Sequence, residues 1–366
     1  MQIKEEVHVQ EEGLFGTITT MGHEQVVFCS DVITGLKAII AIHSTVLGPA
    51  LGGTRLWNYT SEQEALTDVL RLSRGMTFKA AISGLNLGGG KAVIIGDVKT
   101  IKSEAFLRRF GKFVNSLGGK YYTAEDVNMK TADMEYIAME TKFVTGLPET
   151  MGGGGDPSPV TAYGTYLGMK ATAKKVFGSD NLTGKHIAVQ GVGQVGMHLV
   201  EHLVKERATV YITDIHEERV QSLSKKFGVQ TVQQNEIYDL PMDIYAPCAL
   251  GATLNDDTIP RLKCAIVAGA ANNQLKDEQR HGYMLMDYGI MYAPDFLINA
   301  GGLINVYHEY LGNYHRDRAL KQAEGIYDTC LSILNFAETS KISSQEAAIQ
   351  LAEKRVAEVG RLRMMN

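Results

Sequence analysis

The run Gly191-Val192-Gly193-Gln194-Val195-Gly196 restricts this chain more than any other feature. It follows His186–Gln190 (HIAVQ), which reads as a strand, and it opens a helical pattern through Met197–Lys205. A glycine run in that position matches the dinucleotide fingerprint. The first glycine permits a tight turn, the second lets backbone approach a pyrophosphate, and the third lets helix pack on strand. The amides that open the helix then face the anion. The next strand, Thr209–Thr213, ends at Asp214, whose carboxylate suits the two ribose hydroxyls of NAD and repels the extra phosphate of NADP. Asp214 could equally cap the helix that follows, and one residue can do both. The cofactor expected is NAD.

Short apolar pieces at Asp243–Tyr245 and Ala265–Ala268 alternate with helical stretches beyond this point. That is the pattern of a parallel sheet wrapped by helices. At 366 residues the chain is too long for one comfortable core, so two domains are expected. Gly146–Pro159 (GLPETMGGGGDPSP) has little to pack and the composition of a hinge. It sets the expected boundary: residues 1–146 form one α/β domain and 147–339 a Rossmann-type domain. A last helix opens with a capping box, Ser343 and Glu346, and residues 340–366 are expected to return to the first domain.

The net charge of −5 gives no electrostatic case for nucleic acid or an anionic membrane. Cys29, Cys248, Cys264 and Cys330 are far apart, which argues against a zinc site or a disulfide scaffold and suits a reducing cytoplasm. The acidic N-terminal MQIKEEVHVQEEG is no secretory signal, and no apolar run reaches membrane-spanning length.

In the first part of the chain, Gln25–Cys29 and Leu36–His43 read as a hairpin, and Gly48–Trp57 (GPALGGTRLW) as a glycine-rich loop. Ser61 and Glu64 form a capping box before a helix with Ala65, Leu66, Val69, Leu70 and Leu72 on one face. A second helix starts at Ser103, with Phe106, Phe110, Phe113 and Leu117 on one side. Between them lies Gly75–Gly96, with Lys79 and Lys91 separated by a loop ending in three glycines. Lys91 leads into the buried-strand pattern Ala92–Ile95. Desolvation disfavours the charged form of a lysine so placed and suits it to proton transfer.

Taken together, GPALGGTRLW, MTFKAAISGLNLGGGKAVIIGD, YYTAEDVN, GDPSPVTAYG, GVGQVG, GAANNQL and NAGGLINV resemble the glutamate/leucine/phenylalanine/valine family of amino acid dehydrogenases. The resemblance covers almost the whole chain, in order, and is nearest to the leucine-acting members. It implies an N-terminal substrate and assembly domain, a Rossmann domain after it, an active site in the cleft between them, and a homo-octamer. It also implies NAD-dependent, reversible deamination of an amino acid to a 2-oxo acid and ammonia. Residue by residue, it gives Lys79 to the substrate carboxylate, Lys91 to activation of water, and Asp126 to proton exchange with the amino group. Thr161 and Asn272 match positions that hold the nicotinamide carboxamide, and Asn299 lies near cofactor and substrate.

Glutamate-acting members carry a lysine where this chain has Leu51, and a side-chain carboxylate there would be left as an unpaired buried charge. A pocket of Leu51, Gly52, Met76, Ala124, Leu303 and Val306 is apolar and modest, fit for leucine, isoleucine or valine with overlapping use. Relatives preferring phenylalanine or valine are the alternative within enzymes. A catalytically silent NAD-binding protein is the alternative outside them, and it predicts loss of the lysine pair or Asp126. All three residues are present.

Overall fold

The computed structural model describes residues 13–249 and 251–364; residues 1–12, on which the absence of a signal rests, residue 250 and residues 365–366 lie outside them. The chain divides into two compact units, residues 1–77 with 86–145, and residues 78–85 with 146–366.

The first unit holds a mixed sheet. Its strands are β1 (Gln25–Asp31), β2 (Leu36–Ser44), β3 (Ala50–Leu51), β4 (Thr54–Trp57), β5 (Gly88–Ile95) and β6 (Tyr121–Tyr122). They lie in the order β1-β2-β5-β3-β6, with β4 also paired to β5. β1 and β2 form the expected hairpin, in register from Gln25↔Ile42 to Asp31↔Leu36. β2 is antiparallel to β5, whereas β3 and β4 run parallel to it.

Two sequence expectations change here. The Gly48–Trp57 "loop" contains β3 and β4, because its glycines serve close strand packing: a Cβ on Gly52 would lie 1.7 Å from the Gly90 carbonyl oxygen. The three glycines before Lys91 are likewise strand residues of β5. A Cβ on Gly89 would meet the Thr77 backbone nitrogen at 2.2 Å, so only glycine lets the helix Glu62–Ile82 sit so near the sheet.

That helix runs through Gly75 and Lys79 and contributes residues to both units. Its start is half a capping box. The Ser61 hydroxyl accepts from the Glu64 N–H, but the Glu64 carboxylate turns to Thr60 instead. The helix Glu104–Ser116 is capped by Ser103 as its sequence requires and buries Phe106, Leu107, Phe110 and Val114. Each such side chain contributes about 1.5–3 kcal/mol of transfer free energy.

The second unit holds β7 (His186–Gln190), β8 (Thr209–Thr213), β9 (Gln230–Thr231), β10 (Ile244–Pro247), β11 (Ile266–Val267) and β12 (Met291–Tyr292). All neighbours are parallel, in the order β12-β11-β10-β7-β8-β9. The order reverses between β7 and β10, the switch point where doubly wound sheets bind ligands beyond the strands' carboxyl ends. The helix Ser344–Met364 clusters with this unit; its Arg355 donates to the carbonyls of Ala80, Ala81 and Leu85.

The glycine-rich stretch after Thr145 is better packed than its composition suggests. The Glu309 carboxylate accepts from the N–H groups of Gly146, Leu147 and Gly154 at 3.0–3.1 Å. Among the described residues no helix is long and apolar enough to cross a membrane, and no cluster could hold a metal ion.

Candidate active site

In the first unit the chemistry gathers around Lys91. β5 carries it into the sheet interior, where the residue keeps 5% of its exposure. The ammonium is not buried alone: the Asp126 Oδ1 lies 3.0 Å from its Nζ. Arg55 of β4 holds the other oxygen, Nε to Oδ2 at 3.0 Å, and its Nη1 reaches Asp68 Oδ2 at 2.9 Å. The Tyr59 hydroxyl donates to the same Asp68 oxygen at 2.6 Å.

Two cations and two carboxylates thus alternate along one string, which keeps the buried group neutral overall. Burial alone would raise the Asp126 carboxyl, but Lys91 and Arg55 outweigh it and hold the group down at about 2. Asp126 is therefore an anion at any ordinary pH. Burial and Asp68 push the Tyr59 phenol up, so it serves as a donor. Arg55, Asp68 and Tyr59 were not singled out from sequence. Arg55 sits inside GPALGGTRLW, but nothing in that motif says that its guanidinium meets an aspartate 71 residues on.

Leu51, Gly52, Ala124 and Met76 belong to this same unit. Leu51, Gly52 and Ala124 are buried, and Met76 is half-buried on the helix Glu62–Ile82. The Gly52 carbonyl accepts from the Tyr121 hydroxyl at 2.6 Å.

In the second unit two groups form. One surrounds the glycine run. Gly191 has φ +98°, and a Cβ there would lie 2.7 Å from the Ala249 backbone nitrogen. A Cβ on Gly196 would lie 2.1 Å from the Gly191 carbonyl oxygen, whereas one on Gly193 would meet nothing within 4 Å. Gly193 therefore borders open space at the start of the helix Gln194–Lys205, the cradle a pyrophosphate needs. Gln194 is exposed there and Val195 half-buried. Beside it opens a cavity of about 450 Å³, lined in part by Val192, Gly193, Glu218, Arg219 and Ser222. Asp214 is not the helix cap, which is His216 before the helix Glu217–Phe227: its Oδ1 accepts from the His216 N–H at 2.9 Å, and its Oδ2 from the Val192 N–H at 2.8 Å. The residues present fit a dinucleotide.

The other group joins Lys79, Asn272 and Asn299. The Asn272 Oδ1 accepts from Lys79 Nζ at 3.4 Å and from Asn299 Nδ2 at 2.9 Å. Asn299 is buried, and its Oδ1 has no hydrogen-bond partner among the described residues. Behind them Asp295, missed in the sequence, is buried and raised by that burial. The N–H groups of Gln274 and Phe296 and the Lys79 charge oppose the rise.

The hydroxyl of Thr161, in the first turn of the helix Ser158–Phe177, donates to the Pro157 carbonyl at 3.0 Å. A Cβ on Gly302 would stand 2.8 Å from that hydroxyl oxygen, so Thr161 and the helix Gly301–Tyr310 pass closely. Leu303 on that helix is buried and Val306 half-buried.

Residues 23–143 match the Glu/Leu/Phe/Val dehydrogenase dimerisation domain, and residues 209–363 match the glutamate/leucine/phenylalanine/valine dehydrogenase model. A leucine dehydrogenase of Bacillus cereus is 56% identical over 344 residues, covering 94% of this chain and 93% of that one. A phenylalanine dehydrogenase of Caldalkalibacillus thermarum is 49% identical, with 93% of each chain covered. The crystal structure of L-tryptophan dehydrogenase from Nostoc punctiforme superposes with a TM-score of 0.84 at 46% identity, covering 95% of this chain and 100% of that one. The chain therefore belongs to the glutamate/leucine/phenylalanine/valine dehydrogenase family, as an NAD(P)-dependent, oligomeric amino acid dehydrogenase of the leucine dehydrogenase type.

Proposed function

We propose that this enzyme deaminates branched-chain L-amino acids, L-leucine foremost and isoleucine and valine with it, to the 2-oxo acid and ammonia, reversibly and with NAD. The observation that carries the reading is the buried Lys91–Asp126 pair, anchored by Arg55. When bound, the nicotinamide accepts the hydride that leaves the substrate's α-carbon. The remaining steps are proton transfers, and they suit this pair. Asp126, an anion, takes a proton from the substrate ammonium so that the amine can become an imine. Lys91 takes a proton from the water that adds to the imine carbon and returns one to the departing ammonia. Lys79 holds the substrate carboxylate.

Gly191 to Gly196 (Val192, Gly193, Gln194 and Val195 between them) and Asp214 hold the dinucleotide, and Thr161 and Asn272 its carboxamide. The unpartnered Oδ1 of Asn299 is an acceptor suited to an N–H of substrate or cofactor. Leu51, Gly52, Met76, Ala124, Leu303 and Val306 receive the aliphatic side chain. Leu51 offers no charge partner to a glutamate carboxylate. The assembly proposed is an octamer, working in the cytoplasm.

NADH oxidation with 4-methyl-2-oxopentanoate should require added ammonium and proceed at a higher kcat/KM than with phenylpyruvate or 2-oxoglutarate. A higher kcat/KM with phenylpyruvate would move the assignment to the aromatic amino acids. That second reading has the 49% identical phenylalanine dehydrogenase on its side.

A further inference from the structure

We propose that Asp295 is a positioning residue for the nicotinamide end of the cofactor: its carboxylate grips the loop that carries Asn272 and so sets where that side chain points. The proposal rests on the proposed hold of Asn272 on the carboxamide. Every residue of the arrangement belongs to the second unit. The loop, residues 269–274 (GAANNQ), follows β11 and is neither helix nor strand. At Asn273 its backbone turns left-handed, with φ +52°. L-residues avoid that conformation unless something holds them there, although asparagine tolerates it better than most.

The hold comes from a different element. Asp295 is buried, and its Oδ2 accepts from the Gln274 N–H at 3.1 Å, one residue past the turn. Its Oδ1 accepts from the Phe296 N–H at 2.7 Å. With an N–H on each oxygen the group needs no proton of its own, so the site is built for the anion. The Lys79 charge acts on it with opposite sign, and the same ammonium donates to the Asn272 Oδ1 at 3.4 Å.

One helical turn grips the loop twice. The Asn299 N–H donates to the Asp295 carbonyl at 3.0 Å, and the Asn299 side chain returns to the same loop. Its Nδ2 reaches the carbonyls of Ala270 and Ala271 at 3.2 and 3.4 Å and the Asn272 Oδ1 at 2.9 Å. The loop is therefore fixed on both sides of Asn272. Two donors on the Asn272 Oδ1 also settle which way its amide faces, and leave the Nδ2 as the donor for a carboxamide oxygen. Without the Asp295 carboxylate the buried Gln274 loses its N–H acceptor, the turn at Asn273 relaxes, and Asn272 moves with it.

Two probes bound to the full chain test this by calorimetric titration: NADH, and ADP-ribose, which lacks the nicotinamide. Asp295→Asn aims an amide N–H at a backbone N–H and should weaken NADH by tenfold or more while ADP-ribose stays within twofold. Asp295→Ala, which adds no donor, should show the same selective loss and stands in if the asparagine variant fails to fold. Equal losses for the two probes, or no loss for either, would overturn the proposal. So would failure of both variants to fold, since the carboxylate would then hold the domain and not the loop. Asn272→Ala separates this inference from the reading beneath it. If that variant binds both probes as the parent does, the carboxamide contact itself is wrong. A selective loss in Asn272→Ala with none in the Asp295 variants sinks the positioning role alone.

Discussion

The lysine cluster of the first unit and the glycine run of the second are made from opposite materials. Around Lys91 the structure spends side-chain charge: Lys91, Asp126, Arg55 and Asp68 alternate in sign at 2.9–3.0 Å. Around Gly191–Gly196 it removes side chains, leaving backbone amides and space. A charge string is specific about proton position and intolerant of losing a member, because the neighbour left behind is a buried, unpaired ion. A glycine run is specific about shape and is broken by adding atoms. The two regions should therefore fail differently.

The largest effect belongs to the charge string. Lys91→Ala removes the proposed proton carrier and should lower kcat by 10³-fold or more, about the upper range for general acid–base catalysis. NADH affinity, read by fluorescence titration, should stay within about threefold of the parent, since the glycine run makes no use of Lys91. Near-normal turnover would refute the proposed role of Lys91.

Next comes the contrast between two glycines. Gly193→Ala adds a methyl to open space, so melting temperature should hold while NADH affinity drops by about a hundredfold. Gly196→Ala drives a methyl against the Gly191 carbonyl and should destabilise the fold itself by about 1–3 kcal/mol. If both variants lost stability equally, Gly193 would be a packing glycine and the cradle would lie elsewhere.

This difference in materials also decides what could be read from sequence. The glycine run was legible because backbone geometry is local. Three glycines at fixed spacing, a strand before and an acid after the next strand all lie within 30 residues. Lys79 and Lys91 stand out by the glycine loop between them and the strand that follows; their roles, and Asp126, come from a motif resemblance. Their partners Arg55, Asp68 and Tyr59 did not, because an ion pair between strand, loop and helix leaves no spacing rule in the chain. Gly88–Gly90 misled for a related reason: glycine marks close approach as readily as a turn, and here the approach is by the Thr77 backbone.

Acid should expose the charge string next. Asp126 lies at about 2 against an ordinary value of 3.8, so its contribution to stability is complete above pH about 4 and is lost as pH falls toward 2. The difference corresponds to roughly 2 kcal/mol. Arg55→Met takes away one of the two cations that hold the carboxyl down. The loss of stability in acid, which starts at the ordinary carboxyl value in both, should then be smaller and end at higher pH than in the parent, and the acid limb of kcat/KM should move up. An unmoved acid limb would mean that Lys91 alone sets the charge on Asp126.

The smallest effect tests a place where the second unit, too, uses a side-chain charge. Glu309 is a half-buried carboxylate that accepts from the N–H groups of Gly146, Leu147 and Gly154. Burial raises its pKa and the three amides oppose the rise. Because the folded value stands above the ordinary one, its ionised form opposes folding as pH climbs through that window. Glu309→Gln removes this penalty and weakens the three hydrogen bonds, which lose their charge assistance. The two terms oppose each other, so the net loss should be only about 1 kcal/mol, a fall of about 2–4 °C in Tm. The loss should be greatest in acid and shrink as pH rises through the carboxyl's titration, because the parent then loses stability that the variant, with no proton to release, keeps. A loss of several kcal/mol would show instead that the glycine-rich segment depends on a full negative charge, as the Lys91 string does.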